Sequence, residues 1–493
     1  MGEYHDMHTY LVLGVSLLVA LSYKAFCVLR SPCSRLPGPW HSKWTDLVLT
    51  YRWLKGTRCQ YVHSLHQRYG PIVRLAPSEV DVSDIDSVKA IYTTKETFRK
   101  AEWYKQFSTI GVETLFNTSD AEFHKRHRRL LAGPISESSL RVFHGQIQAR
   151  TKLAIDKMRN EMKTRGAADV LKWWYFLAAD IIGELTFGTS FEMLESGQKN
   201  EYAQHLETVM FMGAVRAAFP RLTSLAHNLP LPLINQAVES SRRQTRLAGG
   251  FLDGYKSLVD KAPDDAPRTL FTNMLRAEQD EKLTHDEIRN EAELFIIAGS
   301  DTTANTLSFL VWSVCRRPDM QRRLVEELQT LPEGHDGAQL KDLTYLSQVI
   351  HESLRLYSAG PSGLPRQVPP GGAEVCGYYL GQGTTVCAQA WTMHRDPDTF
   401  PNPDEFDPTR WASPSKAMKD ASMPFGRGPR ICLGMHLAMA ELRFATSRFF
   451  LAFPDARVST LEGMCDEDMF QENHFVMSPK GKRCLIECAS VAG

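Results

Sequence analysis

Apolar positions along the chain change texture twice. Residues 10–23 are almost continuously apolar, broken by Gly14, Ser16 and Ser22. Carried past Lys24 to Leu29 the run covers 20 residues, ~30 Å of helix and enough to cross a bilayer. Glu3 and Asp6 precede it, whereas Lys24, Arg30, Arg35 and Lys43 follow. That charge order predicts a retained anchor with the bulk of the chain in the cytosol, not a cleaved signal peptide. Leu36-Pro37-Gly38-Pro39-Trp40 then predicts a stiff, helix-free hinge.

Beyond the hinge the pattern is that of a folded body. Residues 72–75 and 79–82 alternate around Ala76-Pro77-Ser78 and predict a small hairpin. Helical periodicity dominates from there to about residue 358. The longest run opens on Thr284-His285-Asp286-Glu287, a capping box, and continues to Arg316-Arg317, where Pro318 stops it. Its length is ~48 Å, enough to cross a domain. Leu346, Val349, Ile350, Ser353, Leu354 and Tyr357 share one face of a second helix, at 344–357. Short strands follow at 374–375 and 384–388, and a last helix starts just after Cys432, carrying Leu437, Ala440, Glu441 and Phe444. The Pro/Asp-rich stretch at 261–268 is short enough to be a loop between helices. The expected architecture is mainly α with minor β, preceded by one N-terminal transmembrane helix. Its parts are an anchor at 1–30, a Pro/Gly hinge at 31–40 and one catalytic domain at 41–493.

Composition narrows the function. Basic and acidic residues number 57 each, so no positive field is available to hold nucleic acid. The ten cysteines include no C-x-x-C pair, which removes the zinc-ribbon and thioredoxin-like signatures. His351-Glu352-Ser353-Leu354-Arg355 begins like a zinc-protease helix, but Arg355 stands where the second histidine belongs. Glu352 and Arg355 lie one turn apart instead and can form an ion pair.

One cysteine differs from the rest. Phe425-Gly426-Arg427-Gly428-Pro429-Arg430-Ile431-Cys432-Leu433-Gly434 holds three glycines in a tight loop, and Cys432 sits where that loop enters a helix. Amide dipoles at a helix start favour the thiolate and lower its pKa. Upstream, Ala298-Gly299-Ser300-Asp301-Thr302-Thr303 lies inside the long helix. There small residues bring backbone and oxygen close, and a Thr hydroxyl can take over a carbonyl and open the helical ladder to water. Asp301 and Thr302 then make an acid–alcohol proton relay.

The segment 425–434 resembles the haem-binding loop of the cytochrome P-450 family, with Phe425, Gly428, Arg430, Cys432 and Gly434 at its five defining positions. A match to that pattern arises in roughly one random chain in ten thousand at average residue usage. The overall texture is similar to fungal members acting in specialised metabolism. The resemblance implies a haem monooxygenase with b-type haem (iron protoporphyrin IX) on the Cys432 thiolate. Gly426 belongs to the loop, Gly434 leaves room for the ring, and Arg430 reaches a propionate. It also implies propionate contacts from Arg128, His124 and Arg366, although His124 stands where the family more often has tryptophan. Other charges around residues 124–129 then face solvent or an acidic redox partner. Glu352 and Arg355 become a buried pair completed by Arg410, which lies in Phe406-Asp407-Pro408-Thr409-Arg410-Trp411. No dinucleotide fingerprint follows a strand, so electrons from NADPH are expected through a separate NADPH–cytochrome P-450 reductase.

The implied protein is a single-pass, monomeric enzyme of the endoplasmic reticulum membrane with a cytosolic catalytic domain. The sequon at Asn117 should then stay unmodified. Its substrate is an apolar small molecule such as a terpenoid, polyketide or alkaloid, enclosed by 100–118, 210–219, 295–300, 358–364 and 470–475. Two rivals remain: a thiolate-haem isomerase or dehydratase, which tends to lack the Asp–Thr relay, and a non-catalytic haem sensor or carrier, which has no use for one.

Overall fold

Thr284 caps the longest helix of the body: its hydroxyl accepts from the Glu287 amide at 3.2 Å, and the Glu287 carboxylate accepts from the Thr284 amide at 2.8 Å. In the computed structural model this helix runs unbroken from His285 to Cys315. The structure describes residues 2–93, 95, 97–107, 112–220, 223, 232–261, 267–280, 282–332 and 334–491. Most of the 261–268 stretch lies outside them.

Val170–Phe187, Thr344–Leu356 and Met435–Ala452 pack on the long helix, and His144–Arg165 packs on the first and last of these. Trp174, Phe309, Phe444 and Phe449 are fully buried between them. At Gly299 the long helix lies close against Val170–Phe187: an added Cβ would stand 2.9 Å from Ile182 Cγ1. Gly299 therefore serves helix packing as well as any opening toward oxygen. Gly299→Ala is expected to cost about 1–3 kcal/mol through overpacking, measurable as a lowered unfolding midpoint in urea.

The hairpin is present as Ile72–Ala76 paired antiparallel with Glu79–Val82, one residue longer than the alternation predicts, with a register shift between Arg74 and Ala76. It extends into a five-stranded sheet through Thr385–Cys387, Arg366–Gln367 and Arg99–Lys100. The last pairing sets Lys100 opposite Arg366. A second sheet joins Ala168–Asp169, Leu485–Cys488 and Ala456–Val458. The result is a mostly helical body with small sheets.

The N-terminal helix spans Gly2–Arg30. Its segment Tyr10–Arg30 is long and apolar enough to cross a membrane and none of it is buried, whereas the long helix passes the same test but is mostly buried. Residues 36–39 are free of helix, with 3₁₀ turns on either side at Pro32–Arg35 and Trp40–Lys43. This segment is held to the body rather than standing as an open hinge. Buried Arg74 donates from Nη1 to the carbonyls of Cys33 and Leu36 at 3.1 and 2.6 Å, and from Nη2 to Pro39 at 3.2 Å. Gly38 has φ +149°, and a Cβ there would meet the Arg74 carbonyl at 2.7 Å.

Candidate functional site

The cysteine loop closes on itself when the Cys432 amide donates to the Phe425 carbonyl at 2.8 Å. Gly428, at φ +72°, would place a Cβ 2.2 Å from the Tyr92 carbonyl, so only glycine fits. A 3₁₀ turn at Gly428–Arg430 leads to Cys432, and the following helix begins at Met435, with Gly434 at its cap. Cys432 thus lies three residues ahead of that helix, not at its first turn. Its side chain is open, but the mass of protein around it dominates. Burial pushes the thiol above its ordinary value, against the Gly434 amide and the Arg128 charge, which pull it down. The expected net lowering is therefore reversed: desolvation outweighs one amide and one guanidinium. A cationic partner at the sulfur would be needed to hold it as thiolate. Burial also raises Cys59, Cys315, Cys387 and Cys484, Cys59 to about 11, as befits inert core thiols.

Beside this loop, positive charge accumulates. Burial depresses the His124 imidazole to about 3, helped in order by Arg430, Arg128, Lys100 and Arg366. His124 is therefore a neutral donor or acceptor amid four cations. Arg128 donates to the Ile431 carbonyl at 3.0 Å, Arg430 to Thr118 at 3.0 Å and Arg366 to Pro365 at 3.1 Å. Lys100 donates to the Phe116 carbonyl. Arg366 also hydrogen-bonds Tyr104, and the four cationic groups together suit a multivalent anion. That is what the two carboxylates of a haem require, and the donor set fits the group. Sequence reasoning missed Lys100. Its signal is the register opposite Arg366, which a two-residue strand does not reveal.

Inside the long helix, Thr302 Oγ1 donates to the Ala298 carbonyl at 2.7 Å, and Thr306 Oγ1 to the Thr302 carbonyl at 2.9 Å. Asn305 Nδ2 does the same to Asp301 at 2.8 Å. The helix is continuous here, and these side chains take up carbonyls of the same run. Asp301 and Thr302 are half-buried, whereas Thr303 points inward and hydrogen-bonds Glu441, a buried carboxyl that desolvation lifts to about 8.

Glu352, Arg355 and Arg410 converge as a buried cluster. Arg355 Nε and Nη2 meet the two Glu352 oxygens at 2.8 and 2.7 Å, and Arg410 Nε reaches Oε1 at 3.0 Å. The Asp407 amide and Trp411 Nε1 add donors at 2.9 Å each. Arg355 spends its remaining N–H groups on the carbonyls of His394, Pro403 and Glu405. His394 carries the connection onward. Its Nδ1 donates to the Arg355 carbonyl at 2.8 Å, and its Nε2 accepts from the Met423 amide at 2.8 Å. Burial holds this imidazole at about 3, hence neutral. The Met423 carbonyl then receives the Gly426 amide at 3.0 Å. A direct hydrogen-bonded path thus joins the cluster to the cysteine loop through His394, a residue that sequence reasoning did not single out.

Comparison with known proteins agrees with this geometry. A family model described as Cytochrome P450 matches residues 37–486. Cytochrome P450 monooxygenase tazI of Aspergillus terreus is 45% identical over 475 residues, covering 96% of this chain and 97% of its own. Cytochrome P450 monooxygenase orf2 of Aspergillus niger is 38% identical with the same coverage. Cytochrome P450 monooxygenase stcB of Emericella nidulans is 34% identical, covering 92% and 88%.

Proposed function

The chain belongs to the cytochrome P450 family, whose members are haem-dependent oxidoreductases, and from there we propose that Cys432 holds the iron of a b-type haem in a monooxygenase acting on an apolar small molecule. The observation that carries this reading is the convergence of four cations around His124, beside a loop that presents an open cysteine. Arg128, Arg366, Arg430 and Lys100 would bind the two propionates, with neutral His124 as a further donor. Gly434 lies beside the sulfur, where an added Cβ would stand 4.0 Å from Cys432 Sγ, and its lack of a side chain would leave that side of the loop to the ring. When bound, thiolate-ligated haem supplies dioxygen activation.

The chain's own part in that chemistry is positioning and proton supply. Thr302 holds a proton at Oγ1, steadied on the Ala298 carbonyl, and Asp301 on the same turn replenishes it. Asp301→Asn is expected to lower product formation by about 10²–10⁴-fold while consumption of oxygen falls less. Parallel oxygen-electrode and product assays would measure the gap.

The finer reading follows from the same frame. Residues 1–30 anchor a cytosolic body at 41–493 in the endoplasmic reticulum membrane, with 31–40 between them. A separate NADPH–cytochrome P450 reductase delivers electrons, the enzyme works as a monomer, and the substrate is an intermediate of specialised metabolism. The decisive experiment is the carbon-monoxide difference spectrum of the reduced protein. The red-shifted Soret band produced by thiolate ligation is expected, and a band typical of neutral or histidine ligation would overturn the assignment.

A further inference from the structure

His127 lies in the basic run 124–129, where charges are expected to face solvent or a partner protein. The structure buries it completely. The helix Ala121–Ala132 turns its imidazole inward, with Phe123 stacked on it at 3.9 Å between ring centres. Its Nδ1 meets Glu291 Oε1 at 2.7 Å, and its Nε2 faces Glu287 Oε1 at 3.4 Å, where Arg126 also pairs at 2.5 Å. Glu291, on the long helix one turn beyond Glu287, is likewise fully buried. Its Oε1 takes a second donor, the Leu115 amide, at 2.7 Å. Its Oε2 has no hydrogen-bond partner among the described residues.

A buried carboxyl with one idle oxygen is costly unless it holds something in place. What it holds is the segment 112–118. This segment is tied internally by Asn117, whose Oδ1 accepts from the Thr114 amide at 2.8 Å and whose Nδ2 donates to Val112 at 2.7 Å. It is fixed outward at three places: the Leu115 amide on Glu291, the Phe116 carbonyl on Lys100 and the Thr118 carbonyl on Arg430. Two of those holders belong to the cationic cluster beside Cys432. Phe116 then packs on Tyr104 and Phe475 at 5.4 and 5.5 Å between ring centres. Phe475 is itself held at φ +99°, a conformation that survives only where packing fixes it.

We propose that Glu291, oriented by His127, is a positioning residue that latches the 112–118 segment and its aromatic wall beside the haem. It thereby sets the affinity for bulky aromatic ligands without touching them. The proposal rests on the haem reading above, and the test separates the two. In the holoprotein, imidazole reports access to the iron and 4-phenylimidazole reports contact with the wall. Glu291→Leu removes the acceptor and is expected to weaken 4-phenylimidazole about tenfold, the scale of one hydrogen bond to a buried carboxylate. Imidazole affinity and the carbon-monoxide band should not change. Glu291→Gln keeps an acceptor oxygen and is expected to restore most of the lost affinity.

Equal affinities in all three proteins, or parallel losses for both azoles, would overturn the latch while leaving the haem reading standing. Absence of the thiolate band in the unaltered protein would overturn the haem reading and the latch with it. Amide exchange in unaltered holoprotein gives a check that no variant can spoil. The Leu115 amide is expected to be among the slowest in 112–118, and rapid exchange there refutes the latch.

Discussion

Replacing Cys432 with serine is expected to abolish the red-shifted carbon-monoxide band and to reduce turnover to the level of free haem. The backbone should barely notice. Serine keeps a small acceptor for the Gly434 amide, and the loop closure from the Cys432 amide to Phe425 is a main-chain bond. Circular dichroism and the urea midpoint of the unloaded chain should therefore match the unaltered protein. What changes is the ligand: an alcohol ionises far less readily than a thiol and is a poor partner for a soft iron site. A serine variant that keeps both band and turnover would move the axial role to another residue.

The second large effect is structural. Glu352→Gln keeps the shape of the side chain but strands two guanidinium groups, one of them fully buried. Breaking a buried pair in this way costs about 3–5 kcal/mol, a large share of the ~5–15 kcal/mol that holds a folded domain. Loss should show first at the cysteine loop, because the path from Arg355 through His394 and Met423 ends at Gly426. The expected sign is a purified protein with substoichiometric haem whose thiolate band decays on mild warming, before the far-ultraviolet helix signal melts. Arg355→Lys should not rescue stability. All five N–H donors of Arg355 are engaged, by Glu352, His394, Pro403 and Glu405, and an ammonium offers three.

Local signals made much of this legible. The Thr284–Glu287 box and Pro318 bracket a helix that the structure begins and ends within two residues of the prediction. The helix at 344–357 ends one residue early, at Leu356. Residues 352, 355 and 410 lie in short motifs with distinctive spacing, and the fold brings them together. What stayed hidden depends on contacts between distant segments. Lys100, Glu291 and His394 sit in unremarkable local sequence and His127 in a basic run expected to face outward, and each gains its place from a partner at least 39 residues away. The burial around Cys432 and the continuity of the helix at Thr302 likewise come from surroundings that local dipoles and hydroxyls do not reveal.

The grip of Arg74 on the carbonyls of Cys33, Leu36 and Pro39 has a mechanical consequence. Only Ser31 and Pro32 separate the last residue of the N-terminal helix from the first gripped carbonyl. With so little slack, the rod and the body would turn together, and were the rod to cross a bilayer, its tilt would set the height and bearing of the body above the lipid.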